Sequence, residues 1–171
     1  MKDLFKITIA KSVEDAEQIA TLAKTIWEEH YTPLIGRDQV NYMLNKFQST
    51  NRIYEDINSG EYIYYIANCH ECKFVGYCGI KTDQDSKGIF LSKLYVKLNF
   101  RGLGISRSFL NLMIEKAKAE GYDHIWLTVN KNNFNSIAAY KKMGFVVVEE
   151  MVSDIGNGFV MDDYKMSLDI L

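Results

Sequence analysis

The apolar positions of the chain change period several times, and each change marks an element. The stretch "LFKITIA" alternates and is rich in β-branched residues, which predicts a strand. The period then lengthens. Val13, Ala16, Ile19, Ala20, Ala23, Ile26 and Trp27 share one helical face, with Ser12 placed as its N-cap. A turn at "TPLIG" separates this helix from a second, on which Val40, Met43, Leu44 and Phe47 form the apolar stripe. A short third helix is expected from Asn51 to Ile57, stopping at Gly60. "EYIYYIAN" and "KFVGYCGIKT" read as two strands joined tightly at "CHEC", and "GIFLSKLYVK" as a third. Leu103, Phe109, Leu110, Met113, Ile114 and Ala117 mark a long helix that ends at Gly121, a suitable left-handed residue. "HIWLTV" is continuously apolar and is expected to be a central strand. "NFNSIAAYKKM" is a short helix closed by Gly144, and "FVVVEEMV" and "FVMDDYKMSL" form a hairpin over "DIGNG". Strands interspersed with helices place the chain in the α/β or α+β class with a mixed sheet.

Composition narrows the function. With 171 residues, 47% apolar and 25% charged, the chain has the make-up of a globular protein. Its single proline, Pro33, and the lack of linkers, repeats or low-complexity runs predict one domain over residues 1–171. A net charge of −2 offers no basic field for nucleic acid. No apolar run is long enough to span a bilayer, and the start lacks the apolar core of a signal peptide, so a cytoplasmic location is expected. Cys69, Cys72 and Cys78 are an odd number and are expected as free thiols. "CHEC" suggests zinc, but no second Cys/His pair accompanies it, and His30 and His124 stand alone, so no metal is expected.

The stretch "NFRGLGISRSFL" carries the chemistry. A helix N-terminus exposes unpaired N–H groups and partial positive charge. Glycines before it let an anion approach the backbone, and Arg101 adds a fork of donors. Two phosphate motifs fail. A dinucleotide fingerprint needs glycine where Arg107 stands, and "GIS" lacks the lysine of a P-loop. On these residues alone, an anion nest and a mere tight turn both remain open.

The flanking sequence adds to the picture. "LSKLYVKLNFRGLGISRSFLNLMIEKAKAEGYDHIWLTVNKNNFNSIAAYKKMGF" resembles the central motifs of the GCN5-related N-acetyltransferase family. The matching positions are the pair Tyr95-Val96, the loop Arg101-Gly102-Leu103-Gly104-Ile105-Ser106, and Asn133 through Tyr140 to Gly144-Phe145. A weaker likeness to bacterial polyamine N-acetyltransferases rests on "IWEEHYTPLIGRDQVNYML" and "YKKMGF". The resemblance implies a mixed, mostly antiparallel sheet of about seven strands with a splayed parallel pair, flanked by helices. It implies acetyl-CoA as donor, a small polyamine-like amine as acceptor, and direct attack in a ternary complex. The alternatives are a protein or peptide N-terminus as acceptor, or a non-catalytic CoA-binding module. It also leaves room for a homodimer.

Carried onto this sequence, the resemblance gives each residue a role. Backbone groups of Leu94, Tyr95 and Val96 would hold the pantetheine arm. Arg101, Gly102, Leu103, Gly104, Ile105, Ser106 and Arg107 would hold the pyrophosphate, and Asn133 would bond to the cofactor or cap its helix. Tyr140 would be the general acid toward the departing thiolate. Ser106 and Ser136 are small departures from the family pattern. The strand glutamate that serves some members as base has no counterpart, since Ser92 and Lys93 stand there. Glu28, Glu29, His30 and Tyr31 are the substitutes, beside relay through water. Asp162 and Asp163 could line an acceptor pocket, but only one of two adjacent strand residues can face it.

Overall fold

The computed structural model describes residues 4–70 and 72–170. The chain forms two compact units, one reaching to Lys81 and taking in Lys93–Leu110, the other made of Thr82–Ser92 and the chain from Asn111 on. Among the described residues, seven strands make one sheet, in the order β1-β2-β3-β4-β5-β7-β6.

The first unit opens with β1 (Phe5–Ile9) and α1 (Val13–His30). Ser12 starts α1 through a capping box: its Oγ accepts from Asp15 N at 3.1 Å, while Asp15 Oδ2 accepts from Ser12 N at 3.1 Å. The expected turn at "TPLIG" is instead a one-turn helix, α2 (Thr32–Ile35), because Pro33 suits a first helical turn. Gly36 (φ 84°) then redirects the chain into α3 (Arg37–Phe47). The third expected helix is longer than its apolar stripe. α4 (Thr50–Ser59) is extended at its start by the Ser49 cap and is closed by left-handed Gly60. α1 packs with α4 and α3, and Ile19, Ala23, Ile26, Val40 and Ile53 of these helices are buried.

β2 (Ile63–Cys69) pairs antiparallel with β1 and with β3 (Gly76–Asp83). The "CHEC" connection is longer than expected, since β3 begins only at Gly76. Its turn is closed by Cys69 N donating to the Cys72 carbonyl at 3.0 Å and Cys72 N donating to Cys69 Sγ at 2.9 Å. β4 (Gly88–Val96) follows, then a 3-10 turn at Leu98–Phe100 and α5 (Ile105–Glu120).

In the second unit, β5 (His124–Asn130) runs parallel to the start of β4 and antiparallel to β7 (Phe159–Asp169). The parallel ladder covers only Gly88–Phe90 against His124–Trp126, although β4 extends to Val96 and β5 to Asn130. β5 lies between two strands, as expected, but its apolar run is not buried on both faces. Ile125, Leu127 and Val129 are buried, whereas Trp126 is half-buried under the stacked ring of Phe90 at 4.2 Å and the ammonium of Lys165 at 4.7 Å. β5 is followed by α6 (Phe134–Met143), then by β6 (Val146–Gly156) and β7 as a hairpin. Its turn is confined to Asn157 and Gly158, both at positive φ (54° and 76°), the handedness a two-residue hairpin needs. β6 is an edge strand whose register against β7 shifts between Val147 and Glu149, and Val146, Val147 and Val148 are exposed despite their apolar character.

Candidate active site

In the first unit, the end of β4 delivers the chain to the glycine loop. Lys97 N donates to the Val75 carbonyl at 2.9 Å and holds the strand end against the start of β3. Gly76 lets the two backbones approach. A Cβ there would stand 3.0 Å from the Tyr95 carbonyl oxygen and 3.3 Å from Val96 Cγ2. Arg101 Nε donates to the Val96 carbonyl at 3.1 Å, so one donor of its fork braces the loop onto the strand. Gly102 (φ 77°) and Gly104 (φ 84°) are both left-handed, and a Cβ on either would meet nothing within 4 Å. The first intrahelical bond of α5 runs from Ser108 N to the Gly104 carbonyl at 2.9 Å. The preceding N–H groups belong to the first turn of the helix, where no carbonyl one turn back is available to them. Ile105 is buried and anchors the helix start, Ser106 is half-buried, and Leu98 and Leu103 are exposed apolar residues on the loop. This arrangement fits a phosphate-bearing group: the bare glycines leave room for it, and the helix supplies donors and favourable charge.

The same unit joins several predicted residues that lie far apart in sequence. The C-terminal end of α1 meets β4 in an aromatic cluster. Trp27 stacks on Tyr31 at 4.4 Å, Tyr31 stands edge-on to Tyr95 at 6.2 Å, and Tyr77 lies 5.3 Å from Tyr95. His30 packs edge-on against Tyr31 at 4.8 Å. Glu28 and Glu29 are exposed. Thus His30 and Tyr31 join Tyr95 on the β4 strand.

Lys93, named in the sequence only as a departure from the family pattern, is 7% exposed. Its ammonium lies 5.3 Å from the ring centroids of both Tyr62 and Tyr64. Tyr64 in turn donates to buried Asp56 at 2.9 Å, and Asp56 pairs with Arg52 at 2.7 Å. Burial lowers the Lys93 pKa from 10.5 to about 8, with Asp56 opposing the shift. A lysine lowered in this way weighs against folding while it is charged. Between pH 8 and 10 the unfolded chain keeps a proton that the native state has lost, so stability rises with pH. The expected gain is about 3 kcal/mol, given the depth of the shift. Above the ordinary tyrosine value of 10 the trend reverses, because buried Tyr64 and Tyr77 resist ionisation in the native state. Denaturant melts of wild type and Lys93→Met from pH 7 to 10 check this. The rise should be present in the first and absent in the second.

The second unit holds the other predicted residues. Asn133 is buried, is the N-cap of α6, and accepts from Ser136 N at 3.3 Å through Oδ1. The register among neighbouring asparagines is thereby fixed, since Asn132 N instead donates to Asn130 Oδ1 at 2.9 Å. Tyr140 is half-buried on α6, its ring edge-on to Phe145 at 5.7 Å. Left-handed Gly144 (φ 104°) ends the helix, and Phe145 N donates to the Tyr140 carbonyl at 3.0 Å. Asp162 and Asp163 point to opposite faces of β7: Asp162 is exposed and pairs with Lys131 at 2.7 Å, while Asp163 is buried.

Among the described residues, no group of three His, Cys, Asp or Glu side chains is placed to hold a metal ion. No described helix is long and apolar enough to cross a membrane.

A short parallel ladder within a mixed seven-stranded sheet, followed by a glycine loop that opens a long helix, defines an acyltransferase of the acyl-CoA N-acyltransferase fold. The profile of the acetyltransferase (GNAT) family matches residues 19–145, and the chain belongs to that family of N-acetyltransferases. An uncharacterized N-acetyltransferase of Mycobacterium tuberculosis, Rv2669, is 24% identical over 133 residues, covering 78% of this chain and 84% of its own. N-alpha-acetyltransferase 30 of Saccharomyces cerevisiae is 27% identical over 142 residues, covering 81% and 75%. Among solved structures, the PaiA N-acetyltransferase of Thermoplasma acidophilum in complex with coenzyme A superposes with a TM-score of 0.77. It is 21% identical and covers 96% of this chain and 99% of that one.

Proposed function

We propose that this chain transfers an acetyl group from acetyl-CoA to a primary amine, directly and without an acyl-enzyme. The observation that carries the reading is the start of α5, where two left-handed glycines leave open space ahead of the first helical turn. A coenzyme A pyrophosphate suits that space, and the Thermoplasma acidophilum relative solved with coenzyme A supports the choice. Acetyl-CoA supplies the activated acetyl thioester. The chain's own groups do the rest. Backbone N–H groups of Gly104, Ile105, Ser106 and Arg107 bind the phosphates, with Gly102 and Leu103 shaping the approach and Arg101 bracing the loop. Leu94, Tyr95 and Val96 offer backbone donors and acceptors to the pantetheine arm. Asn133 holds the start of α6, and the Tyr140 hydroxyl donates a proton to the departing sulfur.

The favoured acceptor is a small polyamine-like molecule. Likeness to N-alpha-acetyltransferase 30 supports a second acceptor, the α-amino group of a peptide. A cytoplasmic location belongs to the same proposal.

Two measurements test the reading. Calorimetry should show saturable acetyl-CoA binding, and a panel of diamines, monoamines and peptides should show which acceptor releases free thiol. No acetyl-CoA binding would remove the donor, and binding without any acetylated amine would leave a non-catalytic CoA-binding module. Gly104→Ala is expected to weaken acetyl-CoA at least tenfold, because its methyl group stands where the phosphate approaches. Gly121→Ala is the control. That glycine closes the same helix at φ 76°, again with open space around it, so it carries the same backbone strain away from the nest. Equal affinity losses in the two variants would place the Gly104 effect in strain rather than in the nest.

A further inference from the structure

Asp163 lies within β7, opposite Asn130 of β5 and Met151 of β6. It is 7% exposed, and its Oδ1 has no hydrogen-bond partner among the described residues. The charges around it are unequally matched. Lys131, which follows β5, binds Glu150 at 2.9 Å and Asp162 at 2.7 Å, and lies over the Tyr164 ring at 5.5 Å. Two carboxylates, Glu150 and Asp162, thus share the Lys131 ammonium, and Asp163, on the opposite face of β7, feels it only through space. Burial, reinforced by the negative charge of Asp162, raises the Asp163 carboxyl to about 6, and Lys131 opposes that rise without cancelling it. The group is thus ionised at neutral pH, in a place where an unmatched charge is unfavourable.

Its position is tied to the loop that carries Asn133. Lys131 N donates to the Asp162 carbonyl at 3.0 Å, and Asn133 N donates to the Asn130 carbonyl at 2.9 Å. Asn130 Oδ1 accepts from Asn132 N, so the residue opposite Asp163 gives that acceptor to the loop rather than to the strand. A buried carboxylate with no cation bonded to it among the described residues, held in register with this loop, offers a seat for a cation from outside the chain.

We infer that Asp163 receives a positively charged ammonium group of the acceptor and thereby selects cationic amines. The inference rests on the acetyltransferase reading and identifies the residue that recognises its acceptor. A polyamine-like molecule meets the requirement, since it keeps an ammonium at neutral pH beside the amine that reacts. The seat binds and orients without exchanging atoms.

The test is calorimetric titration of 1,4-diaminobutane and of the uncharged 1,4-butanediol into wild type and Asp163→Asn, each with and without saturating coenzyme A. In wild type the diamine should bind at least tenfold more tightly than the uncharged diol, and Asp163→Asn should abolish that difference. Diamine affinity in wild type should also fall as the pH is lowered through about 6, and stay flat over that range in the variant. Thermal melts establish that the variant is folded, and Asp163→Glu should keep part of the preference. Equal diamine affinity in wild type and Asp163→Asn would overturn the inference, as would a wild type with no preference for the diamine under either condition. Failure of coenzyme A to bind is a separate result. It removes the acetyltransferase reading, while the titrations without coenzyme A still decide whether Asp163 takes a cation.

Discussion

Tyr140→Phe is expected to lower turnover by about a hundredfold or more while leaving acetyl-CoA affinity unchanged, the usual scale for losing a positioned proton donor. Phenylalanine keeps the ring that packs edge-on against Phe145 at 5.7 Å and removes only the hydroxyl. The backbone of residue 140 is fixed independently of that hydroxyl, by the helix and by the bond from Phe145 N to the Tyr140 carbonyl. The ring packing and the helix end are therefore kept, and the loss is expected to fall on kcat. Loss of a transition-state interaction lowers kcat and kcat/KM together, whereas loss of plain binding raises KM alone. Steady-state rates with a saturating amine, beside calorimetric acetyl-CoA affinities, make the separation. A variant that turns over like wild type would remove Tyr140 as the acid.

The second large effect runs the other way. Asp163→Asn is expected to stabilise the protein at pH 7 by up to about 3 kcal/mol, the free energy of raising a carboxyl from 3.8 to about 6. The sign follows from proton counting. Between pH 4 and 6 the native state holds a proton that the unfolded chain has lost, so stability falls as pH rises through that range. Above it, the ionised, buried carboxylate remains a burden on the fold. Asparagine keeps the shape and removes the charge. The advantage of the variant should be full at pH 7 and absent at pH 4, where aspartate is itself neutral in the native state. Urea melts at the two pH values check this, and equal stability at pH 7 would mean that Asp163 has a counter-charge after all. A burden of this size at a buried position is what a site retained for function shows.

Much of the fold is local and was legible in the order of residues. Ser12 with Asp15 starts α1, Gly60 and Gly144 stop their helices, and Asn157-Gly158 turns the last hairpin. Each is a short-range contest between backbone donors, side-chain caps and permitted φ, which a few adjacent residues settle. Burial, in contrast, is not a local property. The valines of β6 look like core, yet they sit on an edge strand with an interrupted register, and the apolar run of β5 is fully buried on one face only. A hydrophobic residue in sequence does not reveal how many layers cover it.

The candidate site divides along the same line. By itself the sequence determined the family, through the spacing of Tyr95-Val96, the glycine loop, and Asn133 with Tyr140, because contiguous motifs encode backbone turns and caps directly. Adjacency also required that Asp162 and Asp163 face opposite sides of a strand. Only the tertiary structure decided which of them is buried, that Lys131 is bonded to Asp162 and Glu150, that Lys93 is enclosed by Tyr62 and Tyr64, and that Tyr31 meets Tyr95. Those are contacts between residues far apart in the chain. They depend on strand order and on desolvation, and both arise only when the elements pack.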